Sequence, residues 1–118
     1  MHTRDEATLL DIARAARLAM DFVAETDVAG FEKSLLVQSA VLHQMMVLGE
    51  AVKRLSPDFT ARHPEIPWRA MARMRDRLIH GYDRIHLPTL WETVTVDLPD
   101  VLRQLGPLLP RSPEGEET

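Results

Sequence analysis

Cysteine is absent from the 118 residues, which excludes disulfide scaffolds, thiolate metal sites and cysteine nucleophiles together and fits a reducing compartment. Aromatic residues make up only 5% of the chain although 45% of it is hydrophobic, so a core must be assembled from Leu, Val, Ile, Ala and Met. That palette favours helices over a sheet sandwich. Lysine is nearly missing too: of 14 basic residues 12 are arginine, and only Lys33 and Lys53 are lysine. There is no overall excess of positive charge, because 18 acidic residues leave a net −4; bulk attraction to nucleic acid or anionic lipid is excluded. Residues 1–6 are polar, and the sequence pattern contains no apolar run approaching a membrane span. A soluble cytoplasmic protein without membrane contact is therefore expected. This length suits one domain.

The charge that is present is sorted. Arg69, Arg73, Arg75, Arg77 and Arg84 fall within sixteen positions, and against Asp76 and Asp83 they give that stretch +3, leaving −7 for the remainder. A GC-rich coding sequence also favours arginine over lysine, so the clustering, and not the ratio, is informative. Guanidinium is planar, always charged and able to grip phosphate through two parallel hydrogen bonds.

Hydrophobic periodicity divides the chain into four helical stretches. Over residues 5–25, Leu9, Ile12, Ala13, Ala16, Met20 and Val23 recur at three- and four-residue steps, as in an amphipathic helix, with a turn expected over residues 27–30. A second stretch, residues 31–55, is apolar around more than half its circumference. One side faces the other helices, and the surplus marks either a dimer surface, the preferred reading, or burial on all sides. Residues 56–67 hold Pro57, Pro64 and Pro67 and read as a structured connector that cannot continue a helix. A third helix runs from Pro67 or Trp68 to about His80, with Gly81 as its stop. Leu87 and Pro88 open a fourth, through Trp91, Val94, Leu98, Val101, Leu102 and Leu105, which Pro99 should kink or restart. The expected fold is all-α, a four-helix up-and-down bundle over residues 5–109. The pattern fades from Pro107, and residues 110–118 read as a disordered acidic tail.

The third helix carries the chemistry. At about 100° per residue, Asp76 and His80 share a stripe while Arg75 and His80 lie about 140° apart, so Asp76 can orient His80 directly and Arg75 reaches the same edge through its length. The helix C-terminus and Asp76 both favour the imidazolium of His80, and the neighbouring arginines oppose it. A histidine beside fixed positive charge suits reaction at a phosphate diester, which needs proton transfer near neutral pH and cations for the phosphoryl oxygens. Taken alone, this spacing describes a solvated helix face as readily as an active site.

The run Arg75-x4-His80-x-Tyr82 matches the R-x4-H-x-Y motif of the HepT-like toxins of HEPN/MNT toxin–antitoxin systems. Other blocks resemble that family in the same order: Val47-Leu48-Gly49-Glu50-Ala51-Val52-Lys53-Arg54-Leu55, His63-Pro64-Glu65-Ile66-Pro67-Trp68, Met74-Arg75-Asp76-Arg77-Leu78-Ile79-His80-Gly81-Tyr82, then Leu90-Trp91-Glu92 and Asp97-Leu98-Pro99. The resemblance spans residues 8–108. It implies a HEPN-type bundle that homodimerises and cleaves RNA without a metal or other cofactor, with Arg75 and His80 as the catalytic pair and Asp76 in support. It further implies a partner, an MNT-type nucleotidyltransferase antitoxin, which transfers AMP to Tyr82, binds the toxin, or both. AMP beside Arg75 and His80 would occupy the anion site and repel RNA. The alternative from another class is a non-catalytic helical dimer that recruits or serves a nucleotidyltransferase.

Other candidates carry two readings each. Arg73, Arg77 and Arg84 either hold RNA backbone, or form a solvated face or a docking site for an acidic antitoxin. His43 and Gln44 point into a dimer cleft or make core or interface hydrogen bonds. His63 and His86 lack ligand spacing with His43 or His80, so no metal site is expected. Trp68 and Trp91 read as core anchors in preference to base-stacking platforms.

Overall fold

A computed structural model describes residues 3–79 and 86–110; the side chains of residues 3, 75 and 77–79 lie outside that description. The described residues are helical and contain no strand: α1 (Thr3–Val23), α2 (Val28–Lys33), α3 (Leu35–Lys53), α4 (Pro57–Arg62), α5 (Trp68–Ile79), α6 (Leu87–Glu92) and α7 (Leu98–Leu105). The all-α expectation holds. Of the expected tail, residues 110–118, only Pro110 is described, and residues 111–118 lie outside the described residues.

The α1 stripe buries Leu9, Ile12, Ala13, Ala16 and Ala19 completely. Three alanines in that stripe let α1 approach α3 closely, and the α1–α3 interface is the most extensive in the molecule. From α3 come Val41, Met45 and Leu48, all fully buried, and from the C-terminal helices Leu90, Val94, Leu98 and Leu105. Full burial of each such side chain contributes about 1.5–3 kcal/mol.

Three expectations need correction. The helix expected over residues 31–55 is broken at Ser34, which ends α2 and caps α3: its backbone is extended (φ −108°, ψ 97°) and its Oγ accepts from Val37 N–H at 3.1 Å. Gln38 Nε2 donates to the carbonyls of Phe31 and Glu32 at 2.9 and 3.1 Å, satisfying α2's final acceptors. The separate α2 turns Phe31 into the core, where its ring meets Trp91 with centroids 5.3 Å apart. The second correction concerns residues 56–67. Part of that connector is helical: Ser56 accepts from Phe59 N–H and Pro57 takes the first turn of α4, a position where its missing N–H has no cost.

The expectation of no span-length apolar segment is also revised. By length and composition α3 is apolar enough to cross a membrane. Here it packs on α1 and α5 and carries Gln38, His43, Gln44 and Glu50 along its course.

Pro99 acts as expected. Residues Thr93–Asp97 widen into a π turn before α7 restarts at Leu98 with Pro99 in its first turn. Proline cannot donate to the carbonyl four residues back and its ring crowds that group.

A buried carboxylate ties the start of α1 to the start of α4. Asp5 is 1% exposed; its Oδ1 accepts from Ser56 N–H at 3.0 Å and its Oδ2 from Ser56 Oγ–H at 2.8 Å. Ser56 in turn caps α4. Asp5→Ala is expected to lower unfolding stability by about 1–3 kcal/mol, because the half-buried N–H and hydroxyl of Ser56 lose their acceptors. Urea titration checks this; an unchanged midpoint would contradict it.

Candidate active site

Of the candidate site residues, Arg73, Arg75, Asp76 and Arg77 lie on α5, and the placement of that helix follows from a local anchor. Trp68 is buried, its Nε1–H donates to the His63 carbonyl at 2.9 Å, and its ring lies 5.9 Å from Phe59, which is itself buried. Pro67 O accepts the first helical bond, from Met71 N–H at 3.0 Å. Trp68 and Met71 are buried, Ala72 and Met74 half-buried, and the helix lies along α3. Arg69, Arg73 and Asp76 are exposed. Within about 60° of helical arc these three positions form one stripe.

Asp76, expected to support His80, lies with its Oδ1 3.9 Å from Lys53 Nζ at the end of α3, both side chains about half exposed. Such a pair contributes at most about 1 kcal/mol. Its meaning is positional: one of the chain's two lysines stands beside the Asp76 carboxylate, and contributes positive charge there. Arg75 and Arg77 occupy backbone positions in α5, but their side chains lie outside the described residues. So do His80, Tyr82 and Arg84 entirely.

His86 and His63 have local structural roles. His86 Nδ1 caps α6, accepting from Thr89 N–H at 3.3 Å with Thr89 Oγ1 at 2.7 Å. His63 packs on Phe59, with ring centroids 4.7 Å apart, and its Nδ1 lies 3.7 Å from Glu65. His43 is exposed and, with Gln44, Asp11 and Arg14, lines a cleft of about 230 Å³ between α1 and α3. Among the described residues no group of three or more His, Asp or Glu side chains is placed to hold a metal ion. Trp68 is a core anchor, and Trp91 is half-buried against Phe31.

Lys53 and Arg69 were not among the sequence-derived site candidates. Lys53 lies 23 positions before Asp76, so only the packing of α3 on α5 joins them. Arg69 had a sequence signal, four residues before Arg73 on the same stripe.

A small helical domain with an arginine-rich α5 agrees with the HEPN-type ribonuclease class that the run Arg75-x4-His80 implies, and the comparisons with known proteins establish that class. The ribonuclease HepT-like family model matches residues 12–108, and the chain belongs to that family. It is 44% identical over 93 residues, covering 79% of this chain and 84% of the relative, to a protein of Thermococcus cleftensis named "Probable ribonuclease HepT". A protein of Methanocaldococcus jannaschii named as a candidate RNase is 35% identical over 111 residues, covering 94% of this chain and 91% of its own. Another so named, from Caldanaerobacter subterraneus, is 34% identical over 79 residues, covering 67% and 70%. No solved structure matches significantly. The chain is a HepT-like RNase.

Proposed function

We propose that this ribonuclease is the toxin of a toxin–antitoxin pair, acting as a metal-independent homodimer and silenced by a nucleotidyltransferase antitoxin through AMPylation of Tyr82, complex formation, or both. The observation that carries the proposal is the run Arg75-x4-His80-x-Tyr82, inside a family match that covers residues 12–108.

The reaction begins when the ribose 2′-hydroxyl attacks the adjacent phosphorus. His80 takes the hydroxyl proton, the new P–O2′ bond forms and the P–O5′ bond breaks, and the departing O5′ receives a proton. Arg75 stabilises the charge on the phosphorane oxygens. It cannot be the base, since guanidinium does not deprotonate in proteins. One imidazole serves as base and a second as acid, so two copies of the motif meeting across a two-fold axis supply the set. Only RNA carries the internal nucleophile.

Support for the homodimer comes from α3. Leu35 and Leu36 are 76% and 81% exposed, and Met46 lies further along the same helix at 36%. Exposed leucines of this kind are what an isologous interface buries.

In silencing, the Tyr82 phenolic oxygen attacks the α-phosphorus of ATP and pyrophosphate leaves. The test is intact mass after co-expression with an MNT-type nucleotidyltransferase. The expected result is AMP-sized increments on wild type and none on Tyr82→Phe; increments that persist in Tyr82→Phe would overturn the assignment.

A further inference from the structure

We propose that a groove at the start of α5 is a subsite for single-stranded RNA flanking the cleaved bond, with Arg69 and Arg73 holding successive phosphates. The proposal rests on the ribonuclease activity and adds a substrate-binding surface to it.

The groove encloses about 600 Å³, with Thr60, Pro64, Ile66 and Trp68 lining it together with Arg69 and Arg73. Its walls are set rigidly: Trp68 is buried and held through Nε1 to the His63 carbonyl, and Ile66 is 2% exposed. Arg69 and Arg73 stand one turn apart, about 6 Å along the helix, a separation that suits neighbouring phosphates of an extended strand. Among the described residues neither guanidinium has a carboxylate within ion-pair distance, whereas Arg54, Arg62 and Arg103 face Asp11, Asp58 and Asp100. Two exposed, unneutralised guanidinium groups over an apolar floor complement an anionic strand.

Position selects RNA over an acidic peptide as the occupant. Arg69 and Arg73 lie ten and six residues before the end of α5 at Ile79, or about 15 and 9 Å of helix. At the same spacing of about 6 Å per phosphate, that is about one and a half to two and a half nucleotides. Asp76 continues the same stripe, so a strand laid along it leads towards the Arg75 and His80 end. The groove offers no exposed aromatic face, since its one ring is buried. Without a stacking platform it grips backbone and reads no base.

The test uses the full chain carrying Arg69→Gln and Arg73→Gln together, with Arg17→Gln as an exposed control on α1, and RNA dodecamer and dinucleotide substrates. For the dodecamer the double variant is expected to raise KM roughly tenfold, the equivalent of about 1.4 kcal/mol. Its log KM against log salt should be shallower by about 1.4, or 0.7 per lost phosphate contact on a single strand. The advantage of dodecamer over dinucleotide in kcat/KM should shrink, and Arg17→Gln should match wild type. Fluorescence anisotropy of a labelled dodecamer with His80→Ala, alone and combined with the double variant, reads the same loss without cleavage. Equal affinity and salt slope in that pair would overturn the subsite. So would a Glu-rich peptide that binds wild type and not the double variant while dodecamer affinity stays equal, which would make the groove a protein-docking surface. Absence of cleavage by wild type, with binding still weakened by the double variant, would count against the catalytic mechanism and leave the subsite supported.

Discussion

Replacing His80 with alanine is expected to reduce RNA cleavage by about 10²–10⁴ in kcat/KM, the range that a positioned general acid or base supplies. Both proton transfers of the proposed mechanism pass through this imidazole in a symmetric dimer, so each site loses base and acid together. Arg75→Ala is expected to cost about 10²–10³, the scale of removing one oxyanion-stabilising donor. Arg75→Lys should recover part of that loss, since a point charge remains but the two-pronged grip on phosphate does not. Far-ultraviolet circular dichroism of each variant separates chemistry from folding. Equal cleavage by wild type, His80→Ala and Arg75→Ala would remove both residues from the mechanism and favour a recruiting role for the chain.

The second large effect is expected from the leucine pair at the start of α3. At 76% and 81% exposure, Leu35 and Leu36 contribute little to the fold of one protomer, and Leu35→Glu with Leu36→Glu should leave the monomer's melting transition nearly intact. Each leucine buried between subunits contributes about 1.5–3 kcal/mol, and a two-fold axis counts every change twice. The double variant is therefore expected to sediment as a monomer at micromolar concentration where wild type is a dimer. Cleavage should fall with it by about 10² or more, because an isolated motif lacks its second proton-transfer group. A wild type already monomeric at that concentration, or a monomeric variant with full activity, would contradict the composite site.

What could be read from the sequence depended on how local the deciding interaction is. The α1 stripe was readable because periodicity over six helical turns is a local property, and Pro99 was readable because its missing N–H acts on its own turn. The break at Ser34 was not. Phe31 stands in helical register with Leu35 and Leu42, so the periodicity runs through the cap, and the reach of Gln38 back to the α2 carbonyls leaves no mark in hydropathy. Helix α4 was hidden by reading Pro57 as a breaker, although Ser56 and Pro57 form a helix-start signature.

The site divides in the same way. The arginine stripe on α5 follows from helical spacing alone, and the structure shows Arg69, Arg73 and Asp76 exposed together. The approach of Lys53 to Asp76 and of Asp5 to Ser56 depends on which helices pack side by side, and partners 23 and 51 positions apart share no sequence signal. The roles of Arg75, His80 and Tyr82 come from the family resemblance, since their side chains lie outside the described residues.

The most direct measurement uses an RNA oligonucleotide cleaved at a mapped bond and a second one identical except for a single 2′-deoxyribose on the 5′ side of that bond. The expected result is cleavage of the first, leaving a 2′,3′-cyclic phosphate and a 5′-hydroxyl, and no cleavage of the second at that position. Cleavage of both at the same bond, or a 5′-phosphate on the product, would contradict attack by the 2′-hydroxyl.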